Sequence, residues 1–284
     1  MAASRGPVRK LAICGCGLIG GSLALDVQAR GRGVEIAVWD RPGVLGRIAA
    51  DRRLRVRPEA SFRHAVAGAD VIVLAAPPTA NGTLLRRLAA RPEVAGALIL
   101  DTGSVKKPIA DLAGSLTFPP GTQFLPSHPM AGREKSGSAA AAPGLFAGRP
   151  WFIDETVRLS VSHRARWNWL RAAVGATPVL IDSALHDELM AELSHLPQLL
   201  ATVLGAQTDP RTVELAGPGL ASVLRLAGSP HAVWAEIIEA NRAPILAALR
   251  LYRDNLNTVM DRIARGESLR DVFAAAARSY RCLS

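Results

Sequence analysis

An apolar strand that runs straight into a glycine-rich turn limits what this chain can fold into more than any other feature. Leu11-Ala12-Ile13-Cys14 is followed by Gly15-Cys16-Gly17-Leu18-Ile19-Gly20-Gly21-Ser22, and an apolar helix is expected from Leu18 onward. Glycine at Gly15 permits a tight turn out of the strand. At Gly17 it leaves no side chain between the backbone and a pyrophosphate, and at Gly20 it lets the helix lie close to the sheet. The helix start offers free N–H groups and a partial positive charge to phosphates. A second strand, Val34–Trp39, ends at Asp40, 20 residues beyond Gly20. A carboxylate there can accept hydrogen bonds from ribose hydroxyls. Gly15, Gly17, Leu18, Ile19, Gly20 and Asp40 are therefore candidate dinucleotide-binding residues.

Short apolar runs continue the pattern. Helical stretches are expected near 44–51 and 61–67, a buried strand over Asp70–Leu74, a helix over Thr79–Arg91, and a strand over Ala97–Asp101. A further strand, Thr122–Leu125, runs out at Ser127-His128. Strands over Trp151–Ile153 and Thr177–Ile181 flank a helix over His163–Val174. Alternation of this kind predicts a parallel sheet with helices on both faces and a ligand crevice at the carboxyl ends of the strands. The segments Ala75–Pro78, with Ala76 and Pro77 as candidate cofactor contacts, Asp101–Lys106 and Ser127–Glu134 then form three loops on one rim. Beyond Asp182, a plausible N-cap, the strands stop. Amphipathic helices are expected to about Gln207, then over Pro230–Leu256 and Ser268–Tyr280. The fold class is α/β: a Rossmann-type domain over 1–181 and an all-helical domain over 182–284, with apolar faces suited to a partner subunit.

Composition excludes several alternatives. Hydrophobic residues make up 49% and charged residues 20% of the 284-residue chain, ordinary for a globular protein. No apolar run approaches the roughly 20 residues of a membrane helix, and Met1–Pro7 is too short and polar for a signal peptide. The expectation is a cytoplasmic protein with no membrane partner. The formal net charge is +10, but its arginines are scattered among alanines and only 5% of residues are aromatic. That pattern favours anionic small molecules over nucleic acid. Cys14, Cys16 and Cys282 supply neither a metal set nor an expected disulfide.

The densest chemistry lies in Phe124–Gly137. His128, followed by Pro129 at a strand end on the crevice rim, is suited to take a proton from a substrate hydroxyl, because imidazole titrates near neutrality. Glu134 could tune His128 or gate the pocket, or simply be solvated. His195 precedes Pro197 inside a helical pattern, where a proline costs about 3 kcal/mol and bends the helix. A kinked core helix explains that segment equally well. Arg225, flanked by apolar residues, wants a carboxylate partner. Trp234 and Asn241, seven apart, share a helical face and read as packing with a polar contact.

Together these segments resemble the prephenate/arogenate (cyclohexadienyl) dehydrogenase family of tyrosine biosynthesis. The resemblance is carried by Gly15–Ser22, Asp101-Thr102-Gly103-Ser104-Val105-Lys106, His128-Pro129-Met130-Ala131-Gly132 with Glu134, Ser194-His195-Leu196-Pro197-Gln198, and the stretch from Arg225 through Trp234 to Asn241. It implies NAD-dependent oxidative decarboxylation of prephenate to 4-hydroxyphenylpyruvate, with arogenate or dual specificity as the alternative. It further implies catalytic roles for His128 and Ser104, substrate binding by His195, Arg225 and Glu134, and a homodimer formed through the C-terminal helices. Where family members often carry an acidic residue and a second arginine before the substrate arginine, this chain has Ala221 and Ser222, which thins the ionic support of Arg225 and Glu134. No regulatory domain is expected after Tyr280 and no fused mutase before Val8, so any feedback by tyrosine would act at the active site.

Asp40 favours NAD, since its charge would repel a 2′-phosphate, while Arg41 leaves NADP possible. A lysine-dependent β-hydroxyacid dehydrogenase shares this architecture but needs a lysine on a second-domain helix, and no lysine follows Lys135. A non-catalytic NAD-binding protein would have no reason to bring His128, His195 and Arg225 together.

Overall fold

A computed structural model of the chain describes residues 6–31, 33–132 and 137–282. Strand β1 (Lys10–Cys14) lies inside a six-stranded parallel sheet, followed by α1 (Leu18–Arg30), β2 (Glu35–Trp39), α2 (Pro42–Ala50) and β3 (Arg57–Pro58). Helix α3 (Phe62–Val66), β4 (Val71–Leu74), α4 (Pro78–Ala89), β5 (Leu98–Asp101), α5 (Lys107–Gly114) and β6 (Gln123–Leu125) complete it. The strand order is β3-β2-β1-β4-β5-β6, so the chain reverses direction across the sheet at β1 and β4. Ligands of open α/β sheets bind at such a switch point.

Alternation along β1 divides the interior in two. Leu11 and Ile13 join Val71, Val73, Leu98 and Leu100 on one face, while Ala12 and Cys14 join Ile72, Leu74 and Ile99 on the other. Both faces are covered by helices, hence the nearly unbroken apolar runs of β4 and β5.

The strands after β6 depart from the sequence expectation. Ser127–Glu134 was expected as a rim loop, but Ser127–Pro129 is a strand, β7, in a separate sheet. It pairs antiparallel with β8 (Pro150–Asp154), which pairs parallel with β9 (Thr177–Ile181) across α6 (Val161–Val174). Pro126 accounts for the break, because it has no N–H to donate to the large sheet. Its carbonyl instead accepts from Asp154 N–H at 3.1 Å. Helix α6 packs beside α1, where Arg30 donates to the Ala173 carbonyl at 3.1 Å.

From Asp182 onward the chain is helical. The Asp182 carboxylate caps α7 (Ser183–Met190) by accepting from Ala184 and Leu185 N–H. The expected helix to Gln207 is present but changes register: Ala191–His195 is a π-turn, and α8 (Leu196–Gln207) starts anew. Pro197 thereby falls in a first helical turn, where its missing N–H is tolerated. Short helices α9 (Pro210–Val213) and α10 (Pro218–Leu224) follow. The expected helix over 230–256 is two helices, α11 (His231–Ala240) and α12 (Arg242–Ala264), divided at Asn241. Helix α13 (Arg270–Arg281) ends the described chain. Leu251, Leu256, Met260 and Phe273 on α12 and α13 are exposed. No helix among the described residues is long and apolar enough to cross a membrane.

Candidate active site

The three glycines of the first turn do three different things. Gly15 has φ +98°, and a Cβ there would lie 2.6 Å from the Ala75 carbonyl group, so the turn presses against the β4–α4 loop. At Gly20 a Cβ would stand 2.0 Å from the Gly15 carbonyl oxygen, so only glycine lets α1 begin so close to the turn. At Gly17 a Cβ would meet nothing within 4 Å. That open space at the start of α1 is what a pyrophosphate needs. Leu18 and Ile19 are half-buried, packed against the core, which leaves their N–H groups at the helix start.

Asp40 stands beside the turn. Its Oδ2 accepts the Cys16 N–H at 2.7 Å and its Oδ1 the Arg41 N–H at 2.6 Å. The carboxylate is held at the carboxyl end of β2 next to the glycines, which fits a ribose rather than a 2′-phosphate. Ala76 is fixed through its N–H to the buried Asn81 Oδ1 at 3.0 Å, and Pro77 caps α4. From α11, Glu236 reaches across to accept the Thr79 N–H at 2.8 Å, joining the helical region to this loop. Cys14 and Cys16 are buried packing residues whose thiols burial pushes up to about 12, so neither is reactive.

The second half of the site is a buried polar cluster. Asp101, at the end of β5, is its hub: Oδ1 accepts Ser127 N–H and Oδ2 accepts Gly103 N–H, each at 3.0 Å. Asp101 also pairs with the buried Lys106 ammonium. One carboxylate thus ties the 101–106 loop to β7, the strand that carries His128. Burial pulls Lys106 down from its ordinary range, and the Asp101 charge opposes that pull.

His128 is half-buried, with its Nδ1 3.0 Å from Nε2 of His186 on α7. His186 is wholly buried, and its Nδ1 lies 2.8 Å from Oδ1 of Asp187. Asp187 receives the N–H groups of Lys106 and Lys107 at 2.7 and 2.8 Å, at the start of α5. Desolvation, then the nearby His186, Lys106 and His195, push the His128 pKa well below its ordinary value. The His128 imidazole is therefore neutral across physiological pH.

His195 ends the π-turn and is 1% exposed. Its Nδ1 accepts from Asn241 Nδ2 at 3.1 Å, and Asn241 also donates to the Asp187 carbonyl at 2.8 Å. Trp234 stacks edge-on against the His195 ring at 5.8 Å. Burial pushes His195 down to about 4. Trp234 and Asn241 thus both serve His195, although the break at Asn241 means they do not share one straight helix.

His128 and His195 are brought into one hydrogen-bonded cluster through His186, Asp187 and Asn241. Ser104 lies half-buried in the 101–106 loop. Its neighbours Gly103 and Val105 line a cleft of about 250 Å³ with Pro78, Thr79 and Ala240. Arg225 is exposed at the end of α10, where Gln198 pins the following turn by donating to the Leu226 carbonyl at 2.8 Å. Glu134 lies outside the described residues. Sequence reasoning missed His186 and Asp187; the available signal was their place four and five residues after the Asp182 cap, facing back toward β7.

Comparison with known proteins bears on this arrangement. The model of the prephenate dehydrogenase nucleotide-binding domain matches residues 23–158, and that of the prephenate dehydrogenase dimerization domain matches 182–275. The chain is 29% identical over 267 residues to prephenate dehydrogenase of Lactococcus lactis subsp. cremoris, covering 92% of this chain and 73% of that one. It is 30% identical over 245 residues to prephenate dehydrogenase of Bacillus subtilis, covering 82% of this chain and 64% of that one. Among solved structures, prephenate dehydrogenase from A. aeolicus in complex with hydroxyphenyl propionate and NAD+ shares the fold. Its TM-score is 0.85 over 100% of both chains, at 22% identity. With both domain models matched in order along one chain, the protein belongs to the prephenate dehydrogenase family.

Proposed function

We propose that this chain is a cytoplasmic, homodimeric, NAD-dependent dehydrogenase that oxidatively decarboxylates prephenate to 4-hydroxyphenylpyruvate in tyrosine biosynthesis. The observation that supports the reading is His128, hydrogen-bonded to His186 in a buried polar cluster, in the same domain as a glycine turn whose Gly17 leaves open space for a pyrophosphate. NAD, when bound, supplies the hydride acceptor. Gly15, Gly17, Leu18, Ile19 and Gly20 hold its pyrophosphate, Asp40 its ribose, and Ala76 and Pro77 line its path. His128 accepts the proton of the ring hydroxyl as the carbinol carbon is oxidised. Loss of the ring carboxylate as carbon dioxide then leaves an aromatic ring, which drives the reaction forward.

Ser104 orients the hydroxyl from the 101–106 loop. His195, neutral and with Nδ1 occupied by Asn241, presents Nε2–H as a donor to the substrate. Arg225 meets a substrate carboxylate, and Glu134 keeps the substrate-binding role that the family resemblance implies. We place the domain boundary between 181 and 182, and assign the exposed apolar faces of α12 and α13 to the dimer contact.

The test is a two-by-two assay of reduced nicotinamide formation, with prephenate or arogenate and NAD or NADP. Turnover is expected with prephenate and NAD, and Asp40→Ser should raise the NADP rate relative to NAD. Absence of turnover with either substrate would sink the reading.

A further inference from the structure

We propose that His186 and Asp187 are a positioning pair that holds His128 as its Nδ1–H tautomer, making Nε2 the nitrogen that receives the substrate proton. The inference rests on the reading of His128 as the base and deepens it. Asp187 is an acceptor fixed from three sides. Its Oδ1 takes Lys106 N–H and faces His186 Nδ1, and its Oδ2 takes Lys107 N–H. Consecutive backbone N–H groups at the start of α5 thus donate to both of its oxygens. A carboxylate oxygen 2.8 Å from a ring nitrogen requires a hydrogen on that nitrogen, so His186 carries its proton on Nδ1.

The rest follows by alternation. With Nδ1 carrying the ring's single proton, Nε2 of His186 has a bare lone pair, and the atom facing it at 3.0 Å is His128 Nδ1. Two bare nitrogens at that distance would repel, so His128 donates from Nδ1 and keeps its lone pair on Nε2. Free neutral histidine prefers the opposite tautomer, with its hydrogen on Nε2. The arrangement selects the minority form and aims it before substrate arrives.

During turnover the hydroxyl O–H bond breaks, its electron pair stays on oxygen, and the proton binds His128 Nε2. The imidazolium so formed keeps Nδ1–H directed at His186, with the Asp187 carboxyl group behind it. The other charged or titratable groups facing the pair are Lys106, paired with Asp101 and near Asp154, and His195. The pair also spans the fold. His128 comes from β7, while His186 and Asp187 come from α7 and lock onto the start of α5. The base is therefore set only when the helical region is seated on the sheet.

The test uses the full-length protein saturated with NAD and labelled with 15N-histidine. Long-range 1H–15N correlations, assigned to His128 by their loss in His128→Asn, should show Nδ1 protonated and Nε2 bare. A proton on Nε2 overturns the inference. In parallel, His186→Leu should lower kcat by about 10- to 100-fold while the prephenate KM stays within about twofold. His186→Gln, whose side-chain oxygen can accept from His128 Nδ1, should recover at least tenfold of a hundredfold loss. Equal losses in both variants, or an unchanged kcat in His186→Leu, also overturn it. Should His186→Leu fail to fold, the wild-type tautomer decides. Retained turnover in His128→Asn would instead refute the reading of His128 as the base, a separate failure.

Discussion

Two alanine substitutions three residues apart should fail in opposite ways. In Gly20→Ala the new methyl would sit 2.0 Å from the Gly15 carbonyl oxygen, with Ile13 Cγ2 behind it at 3.1 Å. The obstacle is backbone, so α1 must move off the sheet. Overpacking of this kind costs about 1–3 kcal/mol. For a chain of this size each kcal/mol lowers the thermal midpoint by about 2–4 °C, giving a fall of roughly 2–12 °C. In Gly17→Ala the methyl meets nothing within 4 Å of the protein. Stability should then stay within about 0.5 kcal/mol of wild type. The methyl would occupy the space proposed for the pyrophosphate, removing one or two charge-assisted hydrogen bonds of about 1.5–3 kcal/mol each. The Kd for NAD should rise at least about 10- to 100-fold. Thermal melts without ligand and NAD titrations followed by tryptophan fluorescence, with Trp39 beside Asp40 as a probe, separate the two effects. A Gly17→Ala variant that binds NAD like wild type would refute the placement of the pyrophosphate. A Gly20→Ala variant with an unchanged melt would refute the packing argument.

Lys106→Met should destabilise the protein by about 3–5 kcal/mol, because it strands the buried Asp101 carboxylate without its cation; a thermal midpoint within about 2 °C of wild type would show the pair is dispensable. His195 gives a pH signature. Its folded pKa, about 4, lies below the ordinary histidine value of 6.5, so the unfolded chain binds the proton first. Stability from this group is complete above about pH 6.5 and is lost as pH falls toward 4, by about 3 kcal/mol in all. Urea unfolding at pH 7 and pH 4.5 should show a smaller drop for His195→Gln than for wild type, and equal drops would exclude His195 as the source.

The glycine turn, Asp40 and the buried runs at Val71–Leu74 and Leu98–Asp101 were legible in the sequence because each is local. Strand, turn and helix start follow from residues within a few positions of one another, and a buried parallel strand needs only a short apolar run. His128 was legible as a histidine at a strand end, but its surroundings were not. The separate sheet of β7, β8 and β9 turns on Pro126 withdrawing from one ladder and on a partner strand more than twenty residues away. The π-turn before Pro197 and the break at Asn241 were hidden for a similar reason: hydrophobic period marks a helix but not a change of its register.

Sequence alone therefore determined the α/β class, the nucleotide-binding half, the helical second half and the place of His128 at a strand end, since these depend on short-range backbone conformation and residue chemistry. Tertiary structure decided what that histidine can do. Its neighbour His186 lies 58 residues away, and the carboxylate behind it is held by N–H groups 81 and 80 residues earlier in the chain. Hydrogen bonds and burial of this kind exist only after sheet and helices have packed; we assign the ring's tautomer to the first, and the second lowers its pKa.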